Sequence, residues 1–183
     1  VTAGWEGRRR LVEEVDVGLL EAVVGDDELL PKERWLVDFA GAELAAGRRV
    51  LVYVRLTGER DIQPRLARVL ALAQIQAEIL RHNVPPRKRM DWVRRHLPDV
   101  LITNPRLVET GVNLIDYPTL VFFQIDYSLF TVWQALRRSW RLGQTEPVKA
   151  VFLAYTFPDS SEPTMEERAV ALVGEKIAAA QLL

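Results

Sequence analysis

Short runs of apolar, largely β-branched residues recur along this chain, and helix-like stretches separate them. The clear runs are RVLVYV (49–54), LPDVLITN (97–104), TLVFFQI (119–125) and VKAVFLAY (148–155), and QAEIL (76–80) is a weaker candidate. Their apolar residues are continuous rather than alternating, which is typical of a sheet covered by helices on both faces. The repeated order of strand and helix predicts an α/β fold in three layers, with a parallel sheet sandwiched between helices.

The stretches between and after the runs carry helix boundary signals. The predicted helices span residues 31–47, 61–73, 86–97, 127–143 and 164–183. Asp61 and Ser128 are suitable N-caps, Gly143 is a suitable terminator, and Thr164 and Glu167 have the spacing of a capping box. Ligands of parallel sheets gather at the carboxyl ends of the strands. We therefore expect the functional residues in the loops at 55–61, 103–113 and 126–128.

Composition narrows the classes of function. The chain has 183 residues, enough for one domain with a sizeable core, and it contains two histidines and no cysteine. Disulfides and thiolate zinc sites are excluded, and we expect no metal site. The apolar runs are far shorter than a membrane span and no signal peptide leads the chain, so we expect no membrane partner. Residues 1–30 are acidic, and we interpret them as a connecting segment ahead of a domain at 31–183.

Positive charge is clustered, although the net charge of −1 favours no particular partner. Residues 81–96 hold six Arg or Lys against one Asp, and residues 134–144 add three arginines. Each cluster is explained either as a solvated face or, if the two converge in space, as part of a surface that faces a polyanion. Both explanations stay open at the level of sequence.

A catalytic site that is complete within this chain is not visible in the sequence. A P-loop enzyme needs the string G-x-x-x-x-G-K-[ST], because backbone amides and a lysine must surround the phosphates, and no such string occurs. The string G-x-G-x-x-G and a Ser/His/Asp set with usable context are also absent. We therefore expect this chain to supply part of an active site.

The string QALRRSWRLGQ (134–144) poses an electrostatic question. Arg138 and Arg141 are three residues apart, so on a helix both guanidiniums would lie on one face. Two adjacent fixed positive charges repel each other unless an anion lies between them. The string therefore predicts a position where an anion binds.

The same string resembles a helicase motif. Gln134, Arg138, Arg141, Gly143 and Gln144 fit the pattern Q-x-x-x-R-x-x-R-x-G-Q, which is similar to motif VI of superfamily 2 helicases in its Swi/Snf-like variant. Other segments resemble further parts of these helicases. Motif IV is matched by RVLVYVRLTGERD (49–61), and the segment that follows motif IV is matched by VPPRKRMDWV (84–93). Motif V is matched by VLITNPRLVETGVNL (100–114), and the helix that closes the C-terminal lobe is matched by PTMEERAVALVGEK (163–176).

Over residues 31–180 this resemblance implies the C-terminal RecA-like lobe of a two-lobed, nucleic-acid-dependent ATPase and DNA translocase. The N-terminal lobe, with the phosphate loop and Asp-Glu box, would precede residue 1. ATP with Mg²⁺ would be held mainly by that lobe, so the isolated chain would bind neither and would be inactive. The expected partners are the N-terminal lobe of the same protein and DNA, as a duplex rather than a single strand.

The resemblance also assigns roles to individual residues. Arg141 as first choice and Arg138 as second would be catalytic arginine fingers that stabilise charge on the γ-phosphate. Gln134, Gly111 and Asn113 would bind the nucleotide. For Asn113 the alternative is an ordinary turn residue.

Contacts to the nucleic-acid backbone are implied for motifs IV and V and for the segment between them. The residues expected there are Arg55, Thr57, Thr103, Asn104 and Arg89. Phosphate contacts of this kind position a protein on nucleic acid without reading its sequence. Arg89 has an alternative role, in which it ties its helix to the edge of the sheet.

Two departures from the family pattern indicate a bacterial or phage branch, and with it a DNA-associated protein of the cytoplasm. Arg137 stands where relatives carry a small or acidic residue. The stretch TNPRLVETG (103–111) is slightly longer than usual, which leaves open whether Thr103 or Asn104 holds the motif V position.

A second hypothesis keeps the fold without the ATP chemistry, as a stand-alone module that binds nucleic acid or protein. Its sign would be DNA binding by the isolated chain that weakens steeply with salt. A third hypothesis, an independent small-molecule enzyme of the α/β class, requires a binding loop that the sequence does not contain.

Overall fold

The computed structural model describes residues 28–55, 61–108, 112–125, 129–139, 141–156 and 162–180. These ranges include every predicted strand and most of every predicted helix. The predicted connecting segment lies almost entirely outside the described residues, as do Thr57, Gly111 and Ser128.

All five predicted strands are present and form one parallel sheet. They are β1 (Val50–Tyr53), β2 (Ala77–Leu80), β3 (Val100–Thr103), β4 (Thr119–Phe122) and β5 (Lys149–Phe152). Their order in the sheet is β2-β3-β1-β4-β5, and each neighbouring pair is parallel. The central strand is therefore β1, and the chain crosses over it between β3 and β4. This crossover point is where ligands of open parallel sheets usually bind.

The helices are α1 (Pro31–Ala45), α2 (Gln63–Leu72), α3 (Arg89–His96), α4 (Pro105–Val108), α5 (Leu129–Ser139) and α6 (Met165–Ala180). A short 3₁₀ helix, Pro86–Lys88, leads into α3. The short helix α4 has no counterpart among the predicted helices. The capping box of α6 is confirmed, since the Thr164 amide donates to Glu167 (2.6 Å) and the Glu167 amide donates to the Thr164 hydroxyl (3.1 Å).

The helix over residues 127–143 is shorter than its pattern predicts. It ends at Ser139, and Arg141 lies in the turn beyond it. Gly143 has a φ of +95°, which lies outside the helical region. The prediction that one helical face carries both Arg138 and Arg141 is therefore wrong.

Helices cover both faces of the sheet, which explains the continuous apolar runs. Alternate side chains of β1 point to opposite cores: Val50 and Val52 join residues of α1 and α2, whereas Leu51 and Tyr53 join residues of α3, α5 and α6. All four side chains are fully buried. The predicted three-layer α/β fold is confirmed.

Buried charges join the layers at the two ends of the sheet. At the carboxyl ends of the strands, the Lys32 ammonium donates to the Leu153 carbonyl (3.2 Å) and to the Glu166 carboxylate (2.6 Å). Burial lowers the pKa of Lys32, and its bond to Glu166 opposes that shift. At the amino ends, Arg48 and Thr119 donate to the Glu43 carboxylate at 2.9 and 2.5 Å.

The pKa of Glu43 reflects two opposing effects. Burial acts to raise it, but hydrogen bonds from Lys149, Thr119 and Arg48 hold this pKa below its usual value. The carboxylate therefore stays ionised and joins α1 to the first residues of β4 and β5.

A membrane span needs a helix that is both long and apolar, and no helix in the described part of the chain meets both requirements.

Candidate functional site

The predicted site residues fall into two separate groups in the structure. Arg55, Thr103 and Asn104 lie where β1 and β3 end. Gln134, Arg138 and Arg141 belong to α5 and the turn that follows it. Because α5 leads the chain from the carboxyl end of β4 back to the amino end of β5, its last turn lies away from the carboxyl edge of the sheet.

The second group lines an open depression beside α5, here called the arginine cleft. Its volume is about 980 Å³. The described residues that line it are Asn113, Gln134, Arg137, Arg138, Arg141, Leu142, Gly143 and Gln144. Three of these eight residues are arginines and none is acidic. The cleft is therefore a concentrated positive site that opens to solvent.

Helix α5 carries one side of the cleft. Gln134 and Arg138 are one turn apart, and the Arg138 guanidinium donates to the Gln134 side-chain oxygen at 3.3 Å. On the inner side of the helix, the buried Tyr53 hydroxyl donates to the Ala135 carbonyl at 3.4 Å. Burial raises the pKa of Tyr53, so this phenol stays neutral, while the Arg138 charge nearby acts to lower that pKa. The central strand thus supports the helix that presents Arg138.

The turn after α5 presents Arg141, and the last two residues of the R-x-G-Q pattern shape it. Gly143 has a φ of +95°, a conformation that side-chain-bearing residues rarely adopt. The Gln144 side-chain amide donates to the Ser139 carbonyl (3.1 Å) and the Ile115 carbonyl (2.8 Å). The Gln144 backbone amide donates to the Arg141 carbonyl (3.0 Å). The turn is therefore held to α5 and to the 112–115 segment.

The 112–115 segment forms the other side of the cleft. Its Leu114 amide donates to the Arg138 carbonyl at 3.1 Å, which fixes it to the last turn of α5. The side-chain oxygen of Asn113 is buried and has no hydrogen-bond partner within the described residues. Because this oxygen is shielded from solvent, the Asn113 side chain would have to turn into the cleft to accept a hydrogen bond from a ligand. Gly111, predicted to bind nucleotide with Asn113, lies outside the described residues.

The first group forms a different arrangement at the carboxyl ends of the three central strands. The Arg55 amide donates to the Gln124 side chain (2.9 Å), and the Asn104 side chain donates to the Arg55 carbonyl (2.8 Å). The Asn104 side-chain oxygen also accepts from the Arg106 amide (2.9 Å) and so caps α4. We call Arg55, Asn104 and Gln124 the carboxyl-end belt. Sequence reasoning missed Gln124, because the apolar run TLVFFQI (119–125) places it inside the predicted strand, whereas the strand ends at Phe122.

Two residues predicted to contact nucleic acid have buried side chains that are hydrogen-bonded inside the domain. Thr103 is completely buried, and its hydroxyl donates to the Leu80 carbonyl at 3.2 Å. Arg89 is 8% exposed, and its guanidinium donates to the Val84 carbonyl (3.1 Å) and the Leu107 carbonyl (2.8 Å). A phosphate that approached from solvent would meet neither group. For Arg89 the geometry favours the alternative role, in which it ties α3 to its surroundings.

The described residues of the arginine cleft offer groups that bind anions. Its described lining contains guanidiniums, amides and one exposed leucine, with no carboxylate, imidazole, thiol or hydroxyl. Guanidinium groups present a planar set of donors that matches phosphate oxygens. The cleft can therefore hold and neutralise a phosphate, but its described residues offer no nucleophile and no general base.

Comparisons with known proteins agree with this fold. No protein-family model and no curated protein sequence matches the chain. Among solved structures, the C-terminal part of the Fun30 ATPase domain is similar, with a TM-score of 0.65 and 19% sequence identity. The match covers 78% of this chain and 45% of that chain, so this chain corresponds to less than half of that neighbour. At this identity the likeness shows a shared RecA-like α/β fold.

Proposed function

We propose that this chain is the second motor lobe of a nucleic-acid-dependent ATPase, and that it works with an N-terminal RecA-like lobe. The observation that carries the proposal is the arginine cleft: three arginines line an open depression on a RecA-like fold, and none of the described lining residues is acidic. An open, positive cleft whose described lining residues include no nucleophile and no general base fits a surface that completes a site on another lobe. The neighbour of known structure is itself part of an ATPase domain.

In this proposal Arg141 is the first arginine finger and Arg138 the second. Arg141 is exposed on a turn whose backbone is held by Gln144, so its guanidinium can reach outward. Arg138 is half-buried and bonded to Gln134, which suits a supporting position deeper in the cleft. A guanidinium that meets charge developing on a γ-phosphate accelerates hydrolysis by roughly 10³–10⁵ where this has been measured.

The substrate would be ATP with Mg²⁺, both held mainly by the N-terminal lobe. ATP supplies the phosphate anhydride bond that is hydrolysed. This chain would contribute the positive charges of the cleft, together with Gln134, Gly111 and Asn113 as nucleotide contacts. Asn113 lines the cleft, and its side-chain oxygen, which has no partner among the described residues, would accept from a ribose hydroxyl or the adenine amino group once the side chain turned into the cleft. Leu142 lies at the same end of α5 and is fully exposed in this chain. An exposed large apolar side chain is expected where a second lobe packs.

Nucleic acid would contact the carboxyl-end belt. Arg55 is exposed at the end of the central strand, and its backbone is held on both sides by Gln124 and Asn104. Thr57, which lies outside the described residues, is included on the motif IV resemblance alone. We do not include Thr103 and Arg89 in this surface, because both side chains are bonded inside the domain. Duplex DNA is the proposed polymer, and residues 1–30 are proposed to connect this lobe to the preceding one.

The test is ATP hydrolysis by the complete protein, with both lobes, in the presence and absence of duplex DNA. We expect DNA-stimulated hydrolysis that Arg141→Ala reduces by roughly 10³-fold or more. Arg34→Ala, a change at an exposed arginine on α1, is the matched control and should keep the wild-type rate.

An Arg141→Ala protein that hydrolyses ATP at the wild-type rate would contradict the assignment. Hydrolysis that is absent from the complete protein, together with DNA binding by the isolated chain, would favour the stand-alone binding module instead.

A further inference from the structure

The exposed side of α3 and of the 3₁₀ turn before it is strongly basic. Arg87, Lys88, Arg94 and Arg95 are all exposed. Asp91 is the one acidic residue between positions 81 and 96. We call the four cations the basic face. The function proposed above does not use it, because the arginine cleft lies beside α5 and the carboxyl-end belt lies where β1, β3 and β4 end.

The basic face has a fixed orientation, because the opposite side of α3 is anchored. Val93 is buried against the core, and Arg89 is bonded to the carbonyls of Val84 and Leu107. Leu107 belongs to α4, so Arg89 ties the basic segment to the element that follows β3. The face is therefore a rigid surface of the domain beside β2, the strand at one edge of the sheet.

The dimensions of the basic face match a nucleic-acid backbone. Helix α3 has eight residues and is about 12 Å long. One strand of duplex DNA carries a phosphate about every 3.4 Å along the axis, so the helix spans roughly three or four phosphates. Three of the four cations are arginines, whose planar donors suit phosphate oxygens.

The basic face has no exposed large apolar side chain of the kind that a membrane surface or a protein partner would contact. The large apolar side chains that are exposed among the described residues are Leu72, Leu142, Met165 and Leu172, and none of them belongs to α3. Interfacial membrane helices insert such side chains, and protein interfaces centre on apolar or aromatic anchors. Trp92 is no such anchor, since its ring stacks on His96 and packs against the core. Charge without apolar anchors favours a sugar-phosphate backbone.

We propose that the basic face of α3 is a second nucleic-acid contact of this chain, which binds the phosphate backbone of a duplex through Arg87, Lys88, Arg94 and Arg95. The proposal rests on the proposed function, because it takes duplex DNA as the polymer. The helicase resemblance implies a backbone contact in this segment through Arg89, which is bonded inside the domain, whereas this proposal places the contact on the exposed cations around Arg89. Binding there extends the footprint on DNA beyond the carboxyl-end belt.

The test is binding of the 183-residue chain to a labelled duplex DNA of mixed sequence over a series of salt concentrations. The variant Arg94→Gln/Arg95→Gln removes two charges from the basic face. The control Arg34→Gln/Lys176→Gln removes two exposed charges from α1 and α6. Each phosphate contact contributes about 0.9 to the slope of log K against log salt, so we expect the α3 variant to reduce the slope by about two. The control should leave the slope unchanged.

A second double variant, Arg87→Gln/Lys88→Gln, tests the other half of the face and keeps the experiment decisive if the first variant unfolds. An unchanged slope in a folded α3 variant, an equal loss in the control, or a larger loss of binding to anionic vesicles or polyglutamate than to DNA would each overturn the inference. Absence of DNA binding at low salt would overturn it as well. Failure of the proposed function shows separately, as wild-type hydrolysis by Arg141→Ala.

Discussion

The carboxyl-end belt and the arginine cleft use the same kinds of side chain in opposite ways. In the belt, Asn104 and Gln124 are bonded to the Arg55 backbone at 2.8 and 2.9 Å. In the cleft, Arg141 stands exposed on its turn, and the side-chain oxygen of Asn113 has no partner among the described residues. Asn104 is hydrogen-bonded within the domain, whereas the side-chain oxygen of Asn113 has no hydrogen-bond partner among the described residues.

This difference distinguishes residues that stabilise the fold from residues that are available to bind a ligand. A polar group with a full set of internal bonds contributes to stability, and its removal leaves buried groups unsatisfied. A charged group that is exposed to solvent contributes little to stability and remains available to a ligand. Substitutions near the belt should therefore reduce the free energy of unfolding, and those at the cleft should reduce function.

The largest expected effect on stability is that of Arg89→Ala, next to the belt. This change leaves two carbonyls, those of Val84 and Leu107, without their charged donor. We expect the free energy of unfolding to fall by about 2–4 kcal/mol. Denaturant unfolding measures this, with Arg87→Ala as the control at an exposed arginine two residues away. Equal effects of the two changes would show that Arg89 is not a structural tie.

A smaller loss is expected for Asn104→Ala. The change removes the cap of α4 and the bond to the Arg55 carbonyl. Together these should be worth about 1–2 kcal/mol in the free energy of unfolding. Asn83→Ala is the control, because Asn83 is exposed in a turn. A stable Asn104→Ala protein would remove the contrast between the belt and the cleft.

Gln144 sharpens the comparison from inside the cleft. It lines the depression, yet its side-chain amide is bonded to the carbonyls of Ser139 and Ile115. Gln144→Ala should therefore cost about 1 kcal/mol of unfolding free energy, as an internal bond does. Gln134→Ala, at the other end of the cleft, is the comparison and should cost less. A reversed order would mean that the turn does not depend on Gln144.

The smallest effect is expected for Arg137→Ala. Arg137 is exposed and lines the cleft. Surface changes of this kind alter stability by no more than about 0.5 kcal/mol. Thermal and denaturant unfolding should not distinguish the variant from the wild type. A clear loss of stability would place Arg137 with the structural residues.

The fold was predictable because its signals are local and repeated. Continuous apolar runs identify strands that are buried on both faces, and the boundary residues of α6 bond as their spacing predicts. The end of α5 was not predictable from its pattern. The apolar periodicity continues to Leu142, but the left-handed conformation of Gly143 and the bonds of Gln144 form a turn instead.

The site was predictable in its residue types and less so in its contacts. A motif names Thr103, Asn104 and Arg89, but a sequence does not show whether such a side chain faces solvent or a neighbouring carbonyl. That depends on strands distant in the chain, as with the bond from Thr103 to Leu80. Gln124 escaped notice for the same reason, since its role depends on the neighbouring end of β1. Arg137 lines the cleft although the motif VI pattern specifies no residue at its position.

The central claim is that the cleft arginines act on a phosphate presented by another lobe and are dispensable for folding. The most direct measurement is ATP hydrolysis by the complete protein with Arg141→Lys, alongside its free energy of unfolding. Lysine keeps the charge but lacks the planar donors that match phosphate oxygens. We predict that hydrolysis falls by at least about 10²-fold while the unfolding free energy stays within about 0.5 kcal/mol of the wild type. Wild-type hydrolysis by this variant would contradict the account.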